Sequence, residues 1–320
     1  MRAPAVIADL GGTNIRFALA EDGQPVQIRR FRIADFASFG DALAHYLDRV
    51  GLADKGSRTP AAVAIAAAGP VRGREIAVTN NDWIVREADI KQLAPGAVVH
   101  LLNDFEAVAD AIPGLTATDV APVSAVLALL PPAAPAIAVG PGTGLGISAV
   151  IPDGEGGWRS YAGEGGHMTL AATDEAQAHV LAILRQQFGR VSLERVLSGP
   201  GLVNLWAALG AAETQRFDPY LSAGEVFDLA RRGDLRACAA VDLFTEFLGA
   251  IAGDLALVFG ATGGVFLAGG ILPRWGEAFA AERFLAAFYD KGPMTDYVRA
   301  IPVARLTLPD PALAGLARRV

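Results

Sequence analysis

Twice in this chain two apolar strands are joined by a glycine-rich turn that carries a threonine. The first copy runs Val6-Ile7-Ala8, then Asp9-Leu10-Gly11-Gly12-Thr13-Asn14, then Ile15-Arg16-Phe17-Ala18-Leu19. This is strand, turn and strand at hairpin spacing. The second copy lies between Ala136 and Val150. Ala136-Ile137-Ala138-Val139 leads into Gly140-Pro141-Gly142-Thr143-Gly144-Leu145-Gly146, and Ile147-Ser148-Ala149-Val150 leads out. Residue identity hardly recurs between the copies, but the form does, and it predicts a duplicated α/β architecture. Apolar residues at helical spacing (Phe36, Phe39, Leu43, Tyr46, Leu47, Val50) predict a helix over 36–50. Others are expected over 105–112, following a strand over 98–102, and over 176–188. The long, very apolar run 237–259 predicts a central buried helix. It leads through Gly260 to a short strand, Val265 to Ala268, and then to Gly269-Gly270.

A chain of 320 residues suggests about two domains. The charge-poor, proline-rich stretch beginning near Pro113-Gly114 marks the expected boundary. That gives a small α/β domain over 1–112 and a large one over 113–296, with the tail 297–320 packing back on the first. A 52% hydrophobic, 19% charged composition supplies a sizeable core. The net charge of −7 argues against nucleic acid or an anionic membrane as partner. Cys238 is the single cysteine, so an intrachain disulfide and a cysteine-rich zinc site are both excluded, and a reducing cytosol is the expected compartment. The uncharged stretches 120–152 and 255–272 are cut by prolines and glycines and read as buried strands and turns, not membrane spans. At the N-terminus, Asp9 and Gly11-Gly12 end the apolar run too early for a signal peptide.

No complete G-x-G-x-x-G and no G-x-x-x-x-G-K-[ST] occurs, which removes the two commonest nucleotide loops. The loop from Asp9 to Asn14 offers another route to a phosphate. Its glycines permit positive φ and let backbone N–H groups approach without a Cβ in the way, while Thr13 adds a hydroxyl. Asp9 makes sense beside a phosphate only with a divalent cation between them. An ordinary hairpin turn would use the same residues. The second loop, around Thr143, is richer in glycine than a tight turn needs, so two loops could grip a polyphosphate from opposite sides. Gly269-Gly270, at a strand end, allows close approach of a flat group such as adenine, or simply reverses the chain.

Asn103-Asp104 lies where the strand over 98–102 meets the helix over 105–112, at the strand edge where open α/β sheets bind ligands. Asp104 is either a helix cap or a general base, and Asn103 a hydrogen-bonding partner for a polyol. In Gly163-Glu164-Gly165-Gly166-His167 two polar side chains share a loop with little bulk around it. A metal site would need more ligands than these two. Glu194, taken alone, reads as a solvated helix charge.

Taken in order along nearly the whole chain, these stretches resemble the proteobacterial-type glucokinase family. The segments that carry the resemblance are Asp9 to Asn14, Leu102-Asn103-Asp104-Phe105, Gly140 to Gly146, Gly163 to His167, Glu194 to Asn204, Gly264 to Arg274 and Asp290-Lys291-Gly292. Ala8 and Pro141 depart from the family pattern beside the loops, and Gly69-Pro70 lies where relatives vary. The resemblance implies a two-domain actin-like (ribonuclease H-like) sugar-kinase fold with an interdomain cleft, ATP and Mg²⁺, glucose as substrate, and a cytoplasmic homodimer. It implies Asp104 as the base on the sugar 6-hydroxyl, with Asn103, Glu164, His167 and Glu194 on the other hydroxyls. It assigns Ala8, Asp9, Leu10, Gly11, Gly12 and Thr13, with Gly142, Thr143 and Gly144, to phosphates. Asp9 would reach the metal through water, and Gly269 and Gly270 would lie at the adenosine. The repressor–kinase (ROK) branch of this fold carries a cysteine-rich zinc motif that a chain with Cys238 alone cannot have. Rival readings are a kinase for another hexose, a sugar-responsive transcription regulator and a non-enzymatic actin-like ATPase. The strand beginning at Val6 leaves no room before it for a helix-turn-helix. An ATPase alone gives no reason for Asn103-Asp104 together with Glu164 and His167.

Overall fold

The computed structural model of the protein describes residues 4–52, 59–79, 81–275 and 279–320. Met1 to Ala3, weighed above as the start of a leader, lie outside them. The chain divides into two compact units. The first takes residues 1–116, 148–162 and 308–320, and the second 117–147 and 163–307.

In the first unit β1(Ala5–Leu10) turns into β2(Asn14–Glu21), which continues to β3(Gln24–Arg32). Then come α1(Phe39–Arg49), β4(Ala62–Ala67), the small sheet β5(Val71–Arg72)-β6(Glu75–Ala77)-β7(Ile84–Arg86), α2(Glu87–Leu93), β8(Val98–Asn103) and α3(Asp104–Ala111). The main sheet has the order β3-β2-β1-β4-β8. β1 is antiparallel to β2 but parallel to β4, and β4 is parallel to β8. Every residue of β4 is buried, as are Val6, Ile7, Ala8 and Leu10. Unbroken apolar runs are what strands covered on both faces require.

The second sheet has the order β12(Trp158–Gly163)-β11(Leu145–Pro152)-β10(Ala136–Pro141)-β13(Gly264–Leu267)-β14(Val303–Leu306)-β9(Val120–Pro122). β10 is parallel to β13 and β13 to β14, while β9 closes the edge antiparallel. Apart from β9, the order repeats that of the first sheet. In each, a meander's first strand pairs with a later parallel strand, then with another. The duplication read from two hairpins is therefore a duplication of topology. Around β13 lie α4(Glu175–Phe188), α5(Gly199–Thr214), α6(Ala223–Arg231), α7(Leu235–Phe259), α8(Leu272–Trp275), α9(Ala281–Tyr289) and α10(Thr295–Arg299). Among the described residues no helix is long and apolar enough to cross a membrane.

Helix ends follow local chemistry. α1 starts at Phe39, later than the apolar spacing predicts, because the Ser38 hydroxyl accepts the Asp41 N–H (3.1 Å) and sets the N-cap there. Phe36 stays outside the helix and packs edge-on against Phe31, ring centroids 5.8 Å apart. α7 is buried along most of its length and ends at Gly260 in the left-handed region (φ 55°), a conformation that suits glycine.

The C-terminal helix α11(Pro311–Arg319) belongs to the first unit and packs along α3. The two backbones come so close that a Cβ at Gly315 would overlap the Ala107 carbonyl oxygen. Neither backbone can give way locally. Gly315→Ala is therefore expected to destabilise the first unit by about 3 kcal/mol, at the upper end of overpacking costs. Thermal melting checks it: a variant that melts with the wild type would mean that the helices separate freely.

Candidate active site

In the first unit the candidate residues gather at the carboxyl ends of the parallel strands. Asp9 sits next to the end of β1 beside Ala66 of β4, and Asn103 ends β8 beside Ala67. The N-cap of α3 is Asn103, not Asp104. Its Oδ1 accepts the Phe105 N–H (2.9 Å) and its Nδ2 donates to the Gly69 carbonyl (3.3 Å). Asp104 is the first helical residue, and its Oδ1 also accepts from Phe105 N (2.9 Å). The cap role that competed for Asp104 thus falls chiefly on its neighbour. Gly69 is held there by necessity: its φ is 146°, and a Cβ would lie 2.5 Å from the Ala77 carbonyl oxygen.

Asp9 is held by a charged partner. Arg16 Nη1 donates to its Oδ2 at 2.6 Å, while Arg16 and Arg30 also pair with Asp310 at 3.2 and 2.9 Å. Burial pushes the Asp9 carboxyl above the ordinary value of 3.8, and the Arg16 charge and hydrogen bond pull it back only in part. Ala8 and Leu10 have no accessible surface and sit in a strand paired on both edges. Gly12 and Thr13 are exposed at the turn, where Gly11 N–H closes onto the Asn14 carbonyl (3.0 Å).

In the second unit two cavities meet at Thr143. One, about 620 Å³, is mainly apolar, with Val203, Leu221, Phe227 and Ile271 in its walls and Gly142 and Gly270 at its rim. The other, about 370 Å³, is polar and has His167, Glu194, Arg190 and Arg195 around it. Thr143, Pro200 and Asn204 line both. Backbone bonds lock the parts together. Glu194 N–H donates to Gly166 (2.9 Å), Gly199 N–H to Gly142 (2.8 Å), and Leu145 N–H to Glu194 Oε2 (3.0 Å). Ser198 caps α5 by accepting the Gly201 N–H (2.9 Å), so the positive end of that helix dipole points at the 142–144 loop.

Positive φ is not why these loops need glycine. Gly11, Gly142 and Gly144 all lie outside the left-handed region. A Cβ at Gly144 would displace the Glu194 carboxylate, the movable end of a side chain, whereas Gly166 is required because a Cβ would lie 2.5 Å from the Leu145 carbonyl oxygen. Gly269 does have φ 99° and abuts the Pro141 carbonyl, which brings Gly269-Gly270 beside the end of β10. His167 and Glu194 thus share one polar cavity. Glu164, exposed at the start of the same turn, is bonded to it by its carbonyl, which accepts His167 N–H (3.0 Å). Far from being a solvated helix charge, Glu194 is tied to the glycine loop. The sequence reading passed over Leu221, Phe227 and Asn204 as lining residues. The readable signal was the Ser222–Glu225 capping box, which fixes the start of α6 beside them.

Asp9 offers the hard oxygen that Mg²⁺ prefers, but Arg16 already occupies Oδ2. The donor set fits the ion through intervening water and not as a direct ligand on that oxygen. Among the described residues no three His, Cys, Asp or Glu side chains cluster as metal ligands would.

The family model described as "Glucokinase" matches residues 6–320. A curated glucokinase of Nitrobacter hamburgensis is 42% identical, covering 99% of this chain and 97% of that one. The crystal structure of a glucokinase from an Antarctic psychrotroph is 34% identical with a TM-score of 0.86, covering 100% of this chain and 99% of its own. A ROK family glucokinase from Streptomyces griseus, solved with glucose and AMPPNP, superposes with a TM-score of 0.62 over 99% of each chain. At 20% identity that last likeness speaks to fold alone.

The raised Asp9 carboxyl has a consequence for stability. A group whose pKa is higher folded than unfolded contributes most below its unfolded value, and that contribution is lost as pH rises through the folded value. The stability of wild type relative to Asp9→Asn is therefore expected to be greatest at and below pH 3.8 and to decline above it. Denaturant titrations of both proteins across the acid range measure this. A difference that grows with pH would mean that Arg16 dominates over burial.

Proposed function

The chain belongs to the glucokinase family of ATP-dependent hexose kinases, and we propose that it transfers the γ-phosphoryl group of ATP to the 6-hydroxyl of D-glucose. The observation that carries this reading is the position of Thr143, where an apolar cavity of about 620 Å³, large enough to admit an adenosine, and a polar cavity lined by His167 and Glu194 meet. A base and ribose in the first, with phosphates along 142–144, would run toward a sugar held by the second.

In this reading Asp104 is the base, and Glu164, His167 and Glu194 bind sugar hydroxyls. The sugar O6 attacks the γ-phosphorus, the bond from that phosphorus to the β–γ bridging oxygen breaks, and the O6 proton passes to the Asp104 carboxylate. Glucose 6-phosphate and ADP leave. Such a transfer depends on positioning and charge neutralisation more than on covalent help. Asn103 orients the turn that presents Asp104, and its amide retains a second N–H for a hydroxyl. Glu194 accepts from one hydroxyl while its other oxygen stays on Leu145 N–H. Gly12, Thr13, Thr143 and the α5 N-terminus donate to phosphate oxygens. Mg²⁺, when bound through water to Asp9, supplies positive charge against the phosphates.

Release of ADP measured in a coupled assay across a hexose panel tests the substrate. Glucose should be turned over far faster than mannose, fructose or an N-acetyl sugar, and preference for any of these would reassign the enzyme. Asp104→Asn should fold normally and lower kcat by about 10²-fold or more, the range for a positioned base. Near-normal turnover would reduce Asp104 to a structural residue. Thr143→Val should raise the KM for ATP and leave glucose binding in the nucleotide-free protein near normal by calorimetry. Equal damage to both ligands would show that the loop supports the fold instead.

A further inference from the structure

Two positions beyond Asp104 on α3, Glu106 reaches back along the helix. Its carboxylate lies close to the backbone N–H of Asn103, the residue whose Oδ1 caps α3 by accepting the Phe105 N–H, so Glu106 sits against the turn that carries Asp104. The same carboxylate is held from two other elements. Ser160 of β12 donates to Oε1 at 3.1 Å, and Arg319 at the end of α11 reaches it through Nη2 at 3.4 Å. One turn along α3, Asp110 Oδ2 takes Arg319 Nη1 at 3.1 Å, and Nη1 also meets Ser160 Oγ at 3.2 Å. A single guanidinium therefore clamps both carboxylates, while Gly315 presses α11 onto the α3 backbone between them. Arg318 of α11 and His100 of β8 are the other charged or titratable groups in this field. Burial raises the Glu106 and Asp110 carboxyls, and Arg319 draws them back down.

We propose that Glu106, locked by Arg319 and Ser160, is a positioning residue that fixes the Asn103–Asp104 turn for phosphoryl transfer. This rests on the reading of Asp104 as the base. Its partners Ser160 and Arg319 lie outside the residues assigned to nucleotide, so its effect should fall on the sugar side of the reaction. A small displacement of a reacting group can cost up to about 10²-fold in rate.

The test compares steady-state kinetics of Glu106→Ala, Glu106→Gln and Asp104→Asn with the wild type, each checked for folding by circular dichroism. Glu106→Ala should lower kcat about tenfold and raise the KM for glucose, with the KM for ATP unchanged. Glu106→Gln keeps an acceptor for the Ser160 hydroxyl and should restore most of both losses. Arg319→Lys, which keeps the charge but loses the forked donor, should shift kcat and glucose KM in the same direction by less. It replaces Glu106→Ala if that variant fails to fold. A purely structural role would lower the active fraction and move neither KM, and that result overturns the proposal. So does a Glu106→Ala enzyme with wild-type kcat and glucose KM while Asp104→Asn is inactive. Normal turnover by Asp104→Asn would instead remove the base reading, and this inference with it.

Discussion

Parallel pairing at the centre of each sheet fixes where everything else can go. β1 is antiparallel to β2 on one edge and parallel to β4 on the other, and β10 pairs in parallel with β13. A parallel neighbour cannot be reached by a tight turn, so each connection must cross over the sheet. The crossing brings later strand ends level with the hairpin turn. In the first unit this sets Asn103 and Asp104 at the same sheet edge as Asp9. In the second it sets Gly269-Gly270 against the 141–144 turn. The same topology, used twice, yields a carboxylate-bearing edge in one unit and a loop-and-cavity edge in the other.

Close approach of backbone accounts for Gly166 and, together with positive φ, for Gly69 and Gly269, while Gly11 and Gly142 have room for a Cβ. The Glu194 carboxylate takes the Leu145 N–H across the space a Cβ of Gly144 would fill. Gly166 lies on the Leu145 carbonyl, and Gly201 on that of Val196. The polar cavity is thereby built on main chain packed against main chain. Such a wall has few rotamers to order when a ligand arrives.

The last helix holds the first unit's ionised groups from both ends. Asp310, at its N-terminus, adopts φ 47° and makes no cap bond; its carboxylate is taken instead by Arg16 and Arg30. Arg16 in turn holds Asp9. At the other end Arg319 bridges Glu106 and Asp110. Burying carboxylates is costly unless each finds a partner. Here the partners come from segments distant in sequence, so the strand bearing Asp9 and the helix bearing Asp104 are both tied to α11.

Local chemistry already decided much of this in the sequence. Apolar runs flanking glycine turns marked β1–β2 and β10–β11. Helical spacing marked α1, α3, α4 and α7, because a buried face imposes its period on the residues that cover it. Thr143 and His167 stood out as polar residues in glycine-rich turns and Asp104 as an acid at a strand end, while Glu194 was singled out only by the family resemblance. What the sequence could not decide was pairing at a distance. That Asn103 and not Asp104 would cap α3, and that Glu194 would brace Gly144, depended on backbone positions set by the packed strands. The apolar walls at Leu221 and Phe227, and the grip of Arg319 on Glu106, join residues whose spacing along the chain has no period. Such contacts arise only once the crossovers have closed and brought segments distant in sequence side by side.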